Sequence, residues 1–325
     1  MTTSNRVSIY AVSIKSKIKN AMVYILLVLM LLMAEIFSPG YLNLTHFMGI
    51  LRLASFMGIA AIGQTFALLT GGIDLSISTT ISFSYVLAAQ VMMGQDSSIL
   101  PALGCVLILG LIVGIINGAG ICLLNIPPFI MTLGVGSIIR GAYMVFTKGA
   151  PKGSSAPLIS AISNQTIFGN MYGIVIIWIV LAVITILLMK KTTYGRRIYA
   201  VGSNVKASKF SGINTRAIIF SVYIISAVVS AIMGYLLIGY TGMSYLHVGD
   251  NYSTNVIAAV IIGGTSIVGG KGGYLGSAAG AVMMTVLEDF LTIVNIPEAG
   301  RMMAQGALIL LLLMMYAREK ITRAC

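Results

Sequence analysis

The chain has 325 residues, of which 58% are hydrophobic and only 9% are charged, with a net charge of +12. A soluble domain carries about 25% charged residues, so the composition excludes a globular protein with a mostly aqueous surface. In a soluble protein this charge would indicate a nucleic-acid partner, but an excess of Lys and Arg on cytoplasmic loops explains it in a membrane protein. Continuous apolar runs favour helices over an alternating β-barrel.

The apolar runs predict an all-α protein with about ten membrane-spanning helices, since about 20 residues cross a bilayer. In chain order the predicted spans are 21–37, 45–69, 74–94, 99–124, 129–147, 171–189, 217–240, 253–270, 273–295 and 302–317. The first has no small-residue cleavage site, so we expect an uncleaved span rather than a signal peptide. The eighth is short and rich in glycine, and we expect it to be broken or re-entrant.

The basic residues predict the orientation of this single transmembrane domain, residues 1–325. The N-terminal segment, the connection 190–216, Lys271 and the C-terminal tail together hold fifteen Lys and Arg on one face, against three on the other. That face and both termini are therefore expected in the cytoplasm. The basic connection 190–216 is too long for a tight turn, so we expect a short helix in it.

Two rows of glycines at a spacing of four residues predict close packing of helices in the fourth and ninth spans. The rows are Gly110, Gly114, Gly118, Gly272, Gly276 and Gly280. Because those two spans run in opposite directions, spans 2–5 and 7–10 would correspond in an inverted repeat. Plain packing of small residues is the alternative explanation.

Polar residues inside spans are costly and are often functional. Asp74 follows two glycines, so its carboxylate can cap the third span or serve a solute path. Arg140 lies deeper and needs a partner or water. The adjacent Glu288 and Asp289 indicate a water-lined surface or a subunit contact. The candidates for a translocation path are Gln64, Asp74, Asn117, Asn125, Glu288 and Asp289.

No catalytic constellation is evident in the sequence. The stretch "GGTSIVGGKGG" resembles a phosphate-binding loop, but Thr265 and Gly272 stand where Gly and Ser or Thr are needed. Three cysteines without a motif predict neither a disulfide framework nor a metal site. We therefore expect no enzyme and no metal or cofactor bound by this chain.

Four segments resemble the permeases of bacterial ATP-binding-cassette importers of the ribose, arabinose and xylose type, which include the autoinducer-2 permeases. They are "LLTGGIDLSIS", "NGAGICLLNIPPFIMTLGVGSIIRGAYMVFT", "TTYGRRIYAVGSNVKASKFSGI" and "NVIAAVIIGGTSIVGGKGGYLGSAAGA". The resemblance implies a pore subunit of the inner membrane for a monosaccharide or a polyol-like solute. Its expected partners are a second permease chain, like or unlike, two cytoplasmic ATP-binding subunits that use ATP-Mg, and a periplasmic substrate-binding protein.

The resemblance also implies that the connection 190–216 docks the ATP-binding subunits and is displaced when they close. The family has Glu-Ala-Ala, three residues and Gly at this place, and here Lys replaces the Glu and Ser the second Ala. The expected docking residues are Asn204, Lys206, Ala207, Ser208 and Gly212. Two other functions stay open: an ion-coupled secondary transporter, and an importer permease for branched-chain amino acids.

Overall fold

The structure is a computed structural model that describes residues 23–307 and residue 310. Apart from one small hairpin, the regular structure in these residues is helical. The longer helices are α1 (Val23–Phe37), α2 (Leu44–Leu69), α3 (Ile77–Met92), α4 (Ile99–Cys122), α5 (Pro128–Thr147), α7 (Gly173–Lys191), α10 (Thr215–Thr241) and α12 (Tyr274–Ile293). The shorter helices are α6 (Pro157–Asn164), α8 (Thr193–Ser203), α9 (Val205–Phe210), α11 (Tyr252–Ile262) and α13 (298–307), and the hairpin is β1 (Thr166–Phe168) with β2 (Met171–Tyr172).

Six of the helices are long and apolar enough to cross a membrane: α2, α4 with the 3-10 turn before it, α5, α7, α10 and α12. The prediction of an all-α, multi-pass membrane protein is therefore confirmed in this coarser form. Every predicted span overlaps a described helix, although the last, 302–317, lies largely outside the described residues.

Two predicted spans differ from the observed structure. The third span begins at Ile77 rather than at residue 74, because 70–76 is a turn followed by irregular backbone. The eighth is helical only over Tyr252–Ile262, and 263–273 is non-helical. The connection 148–170 contains α6 and the hairpin. The connection 190–216 contains α8 and α9, which confirms the expected short helix.

Helix boundaries follow from local chemistry. Asn43 and Asn214 precede α2 and α10, and each side-chain oxygen accepts a hydrogen bond from a first-turn N–H group. Pro128 occupies the first position of α5, where its missing N–H costs nothing. Met93 and Lys148 adopt left-handed conformations that end α3 and α5.

Helix α10 is the centre of the bundle and packs against α2, α3 and α4. The glycine row of α4 faces it, because a Cβ at Gly114 would lie 2.5 Å from the Cα of Ile224, and one at Gly110 would lie 2.9 Å from the Cα of Val228. Gly118 similarly faces Phe220. Only glycine allows the two backbones to approach this closely.

A second group of helices forms around α2, which also packs against α7, α11 and α12. Gly280 of α12 faces the backbone of Ala259 in α11, and Gly276 faces that of Gly263, directly after α11. Gly272, the first of that predicted row, lies in the connection before α12 and packs against Thr265 instead. The Trp178 indole of α7 donates to the Tyr274 hydroxyl, at 2.8 Å.

Candidate functional site

The two ends of the bundle are named by the short helices that they carry. At the α8 end, the Gly270 N–H donates to the Leu69 carbonyl (2.9 Å) and the Tyr199 hydroxyl of α8 donates to the Gly272 carbonyl (3.0 Å). Burial raises the pKa of Tyr199, so this phenol stays protonated as a donor. The opposite end, the α6 end, carries α6 and the hairpin.

The segment 70–76 leaves the α8 end and returns into the interior of the bundle. Asp74 within it contacts Ser226, which lies eleven residues after the start of α10, or about 17 Å along that helix. Gly72 makes this path possible, because a side chain there would collide with the Tyr223 hydroxyl. Helix α3 consequently starts inside the bundle and has only 16 residues.

Asp74 is fully buried and its carboxylate is held by hydroxyl and amide donors. One oxygen accepts bonds from the Ser76 N–H (2.9 Å) and hydroxyl (2.6 Å), and the other accepts from Ser226 (2.7 Å). Of the two roles left open for Asp74, capping of α3 is not the one observed, because the N-cap position belongs to Ser76. The carboxylate instead fixes the turn before that cap and joins it to α10.

The side chains of Gln64, Asn117 and Tyr223 are also buried in the helical core. The Asn117 amide of α4 donates to the Ser76 hydroxyl (2.9 Å), which connects it to the Asp74 network. The Asn117 oxygen, both polar atoms of the Gln64 amide and the Tyr223 hydroxyl have no hydrogen-bond partner among the described residues. Such groups are rare in stable cores, so this interior is polar beyond what packing needs.

A second non-helical segment, 242–251, enters the interior from the α6 end. It begins where the Tyr85 hydroxyl donates to the Met243 carbonyl (2.6 Å) and ends near the start of α3, where the Gly249 N–H donates to Ser82 (3.0 Å). Gly249 is required there because a Cβ would collide with the Ser78 carbonyl. Helix α11 therefore also begins inside the bundle, and its 11 residues span about 16 Å.

Charged residues meet where this second segment contacts α5. Arg140 and Asp250 form a salt bridge of 2.7 Å between Nη2 and Oδ1. The His247 Nδ1 atom lies 3.2 Å from the other Asp250 oxygen and 3.2 Å from the Tyr143 hydroxyl. The depth of Arg140 in its span predicts a partner for it, but the sequence does not identify that partner as Asp250. Asp250 is an acidic residue of the connection between α10 and α11, and acidic residues in such connections are the signal that could have identified it.

Glu288 and Asp289 point to different neighbours although they are adjacent. Glu288 accepts hydrogen bonds from the amides of Asn255 (2.6 Å) and Gln305 (2.8 Å), which join α12 to α11 and α13. Asp289 lies 3.0 Å from His46 Nε2 of α2. The latter pair borders a groove of about 580 Å³ between the α1–α2 connection and α12. Asn125, the remaining path candidate, is exposed in the connection before α5.

The candidate docking residues lie on and around α9, at the α8 end. The Asn204 side chain caps α9 by accepting from the Ala207 N–H at 3.0 Å. Lys206 is exposed, Ser208 is buried, and Gly212 has φ +77° with open space around it. Sequence reasoning missed one further residue, Phe210, whose side chain is 92% exposed at the end of α9.

Helix α8 connects this surface to the bundle. Gly202 lies so close to the Leu69 carbonyl that a side chain would collide with it. A Cβ at Gly269 would lie 2.8 Å from the Gly202 carbonyl and 3.0 Å from the Gly71 nitrogen. The end of α8, the segment that leads to Asp74 and the connection before α12 therefore form one junction of closely packed backbones.

Comparisons with known proteins place the chain among transport proteins. The sequence profile of the family "Branched-chain amino acid transport system / permease component" matches residues 46–313. The chain is 32% identical to the ribose import permease protein RbsC of Haemophilus influenzae over 291 residues, 88% of this chain and 90% of that protein. It is 32% identical to RbsC of Bacillus subtilis over 294 residues, 88% of each chain. It is 28% identical to the galactose/methyl galactoside import permease protein MglC of Haemophilus influenzae over 327 residues, 93% of this chain and 96% of that protein. No solved structure matches the chain.

Proposed function

The chain belongs to the family of branched-chain amino acid transport system permease components, and we propose that it is the membrane pore subunit of an ATP-driven sugar importer. The observation that carries the proposal is the similarity to ribose and galactose import permeases, at 28–32% identity over most of both chains. The solute is then a monosaccharide or a similar polyol-like molecule. The family description names amino acids, but it covers a broad family. The relatives that match over most of their length are sugar permeases, so they indicate the solute more specifically.

The proposed complex contains a second permease chain, identical or different, two ATP-binding subunits and a periplasmic substrate-binding protein. ATP-Mg is used by the ATP-binding subunits and not by this chain. We place the complex in the bacterial inner membrane with the α8 end and both termini in the cytoplasm. Support for this orientation comes from the basic residues of 190–216, which include Lys206 and Lys209 in α9.

Helices α8 and α9 form the proposed docking element for an ATP-binding subunit. The exposed Phe210 at the end of α9 supplies the kind of aromatic anchor that fills a pocket on a partner. Closure of the ATP-binding subunits displaces α9, and α8 transmits the displacement to the junction of Gly202 with Leu69 and Gly269. Nucleotide thereby biases two conformations of the pore through its different affinity for each.

The two interior non-helical segments support an inverted-repeat origin of the pore. The segment 70–76 enters from the α8 end before the short helix α3, and 242–251 enters from the α6 end before the short helix α11. Helices that begin at membrane depth are typical of transport proteins, where protein shields the irregular backbone from lipid. Spans 2–5 and 7–10 are the proposed repeats.

Reconstitution tests this function. The permease would be purified with the ATP-binding and substrate-binding proteins of its importer, placed in liposomes, and supplied with radiolabelled D-ribose, D-galactose or L-leucine. We expect uptake of a sugar that requires ATP-Mg and the substrate-binding protein and that continues when ionophores remove sodium and proton gradients. Uptake by the permease alone driven by an ion gradient would establish a secondary transporter, and ATP-driven uptake of leucine alone would establish the amino-acid importer.

The orientation has its own test. A cysteine at Lys206, in a chain whose native cysteines are changed to serine, should react with a membrane-impermeant thiol reagent in inside-out vesicles and not in intact spheroplasts. The reverse pattern would place α9 outside the cell and overturn the docking proposal.

A further inference from the structure

An ion pair lies in the interior of the membrane-spanning region with both side chains partly exposed. Arg140 and Asp250 are 45% and 33% exposed, and their charged atoms are 2.7 Å apart. Arg140 comes seven residues before α5 ends at Thr147, which is about 10 Å along the helix. Asp250 follows Gly249, which contacts Ser82 in the half of α3 that starts at the centre of the bundle. Two separate elements thus place the pair at membrane depth.

Lipid is a poor neighbour for the exposed atoms of this pair. Charged side chains at membrane depth almost always face the bundle interior or a water-filled cavity. A long arginine could extend its guanidinium toward the surface. Here, however, the Arg140 guanidinium is bound to Asp250. The short Asp250 side chain cannot reach the membrane surface, and its backbone is anchored beside α3. The exposed side of the pair must therefore face water or another polypeptide.

The neighbouring groups are suited to hydroxyl-rich molecules. Guanidinium donors, carboxylate acceptors, the His247 imidazole and the Tyr143 hydroxyl offer both donors and acceptors within one cluster. Tyr245, in the same segment, is 48% exposed and packs its ring against Tyr85, with the ring centroids 5.5 Å apart. Because Arg140 and Asp250 neutralise each other, the ion pair offers hydrogen bonds without a net charge. That combination favours a neutral polyhydroxylated solute over an ion.

We propose that Arg140 and Asp250, together with His247 and Tyr143, line the solute path in its half nearer the α6 end and exchange hydrogen bonds with the hydroxyl groups of the passing solute. The proposal rests on the proposed function, since it identifies where along the pore the solute is contacted. It assigns to the ion pair a role in solute passage in addition to holding 242–251 against α5.

Thiol accessibility tests whether the pair faces water. The full-length chain, with Cys105, Cys122 and Cys325 changed to serine, would carry Asn251→Cys beside the pair, or Ile184→Cys as the control. Ile184 is 53% exposed in the middle of the apolar helix α7. In membranes, we expect a charged methanethiosulfonate reagent to modify residue 251 and to leave residue 184 unmodified. Equal, slow reaction at both positions would overturn the proposal, as would burial of residue 251 in a cross-linked contact between two copies.

The same reaction can be run with anionic and cationic reagents. Their relative rates at residue 251 would not change if the ion pair had only a structural role. Asp250→Asn leaves the Arg140 charge uncompensated. The ratio of the anionic to the cationic reagent's reaction rate at residue 251 should therefore rise, on the order of 10-fold. Arg140→Gln should shift the ratio the other way. An unchanged ratio in both variants would contradict a shared aqueous surface.

Transport then tests solute contact. In the complete importer, Arg140→Gln should reduce sugar uptake at least about 10-fold while the ATP-binding subunits still co-purify with the permease. The matched control is Arg52→Gln, because Arg52 is also within a span but lies between the rings of Tyr172 and Tyr240, at 4.6 and 4.9 Å. Uptake by Arg140→Gln at the level of Arg52→Gln would overturn the proposal. The labelling experiment needs no partner proteins, so it tests the aqueous surface whether or not the chain is a sugar importer. If the proposed function is wrong, the chain without substitutions will itself fail to take up sugar.

Discussion

Ser226 in the middle of α10 donates a 2.7 Å hydrogen bond to the buried carboxylate of Asp74. This contact joins the central helix to the segment that leads into α3, which is why that helix starts inside the bundle. The bond is made by a side chain from 152 positions along the chain, so it depends on the packing of α10 against α2 and α3.

Ser226→Ala should destabilise the protein because it removes a donor from a buried carboxylate oxygen, at a cost of about 1–3 kcal/mol. The measurement is the thermal unfolding midpoint of the purified permease in detergent. Ser230→Ala is the matched control, because Ser230 is equally buried in α10 but bonds to the Ser226 carbonyl of its own helix. Equal midpoints for the two variants would show that the Asp74 contact contributes no stability.

Substitutions of two glycines in α4 should change stability in opposite directions. Gly114→Ala would place a Cβ 2.5 Å from Ile224 of α10, and overpacking of this kind costs about 1–3 kcal/mol. Gly104→Ala meets no atom within 4 Å and should stabilise by about 0.4–1 kcal/mol, since alanine restricts the unfolded chain. Detergent unfolding midpoints of both variants test this, and a loss of similar size in both would argue against the α4–α10 contact.

Phe210→Ala should weaken association with the ATP-binding subunit, because aromatic anchors often contribute about 2 kcal/mol or more to an interface. Yield of that subunit in co-purification, followed by titration binding, measures the effect. Met243→Ala is the control, since Met243 is 72% exposed at the opposite end of the bundle. If Phe210→Ala binds as tightly as Met243→Ala, then α9 is not the docking element.

Gly212→Asp should also reduce this association while the permease itself stays folded. Gly212 has φ +77°, which strains any other residue, but the space around it is open and aspartate tolerates this conformation better than most residues, so the variant adds a negative charge beside α9. Gly169→Asp has nearly the same local setting, with φ +57° and open space, at the α6 end. We expect wild-type association for that control, and an equal loss in both variants would point to a general folding defect.

The sequence by itself determined the class of protein. Apolar runs of membrane length predicted helices at ten places, because only a helix can satisfy its backbone in lipid within one segment. Local signals were equally informative, as in the asparagines that cap α2 and α10 and the basic connection that folds into α8 and α9.

Sequence hydropathy did not locate the irregular backbone before α3 and after α11, although it placed the start of α11 within one residue. Hydropathy measures the average apolar character of a window, and the windows of 74–94 and 253–270 stay apolar where the backbone is irregular. Whether such backbone can lie at membrane depth depends on donors from distant helices, such as Ser226 for 70–76 and Ser82 for 242–251.

Tertiary structure alone decided which polar residues meet. The sequence identified Arg140 as a residue that needs a partner, and the fold supplied Asp250, 110 positions along the chain. Adjacent residues of a helix point about 100° apart, and the fold decided that Glu288 meets Asn255 while Asp289 meets His46. A buried charge is stabilised by whichever groups the folded backbone brings within hydrogen-bond distance, and that proximity is a property of packing rather than of sequence spacing.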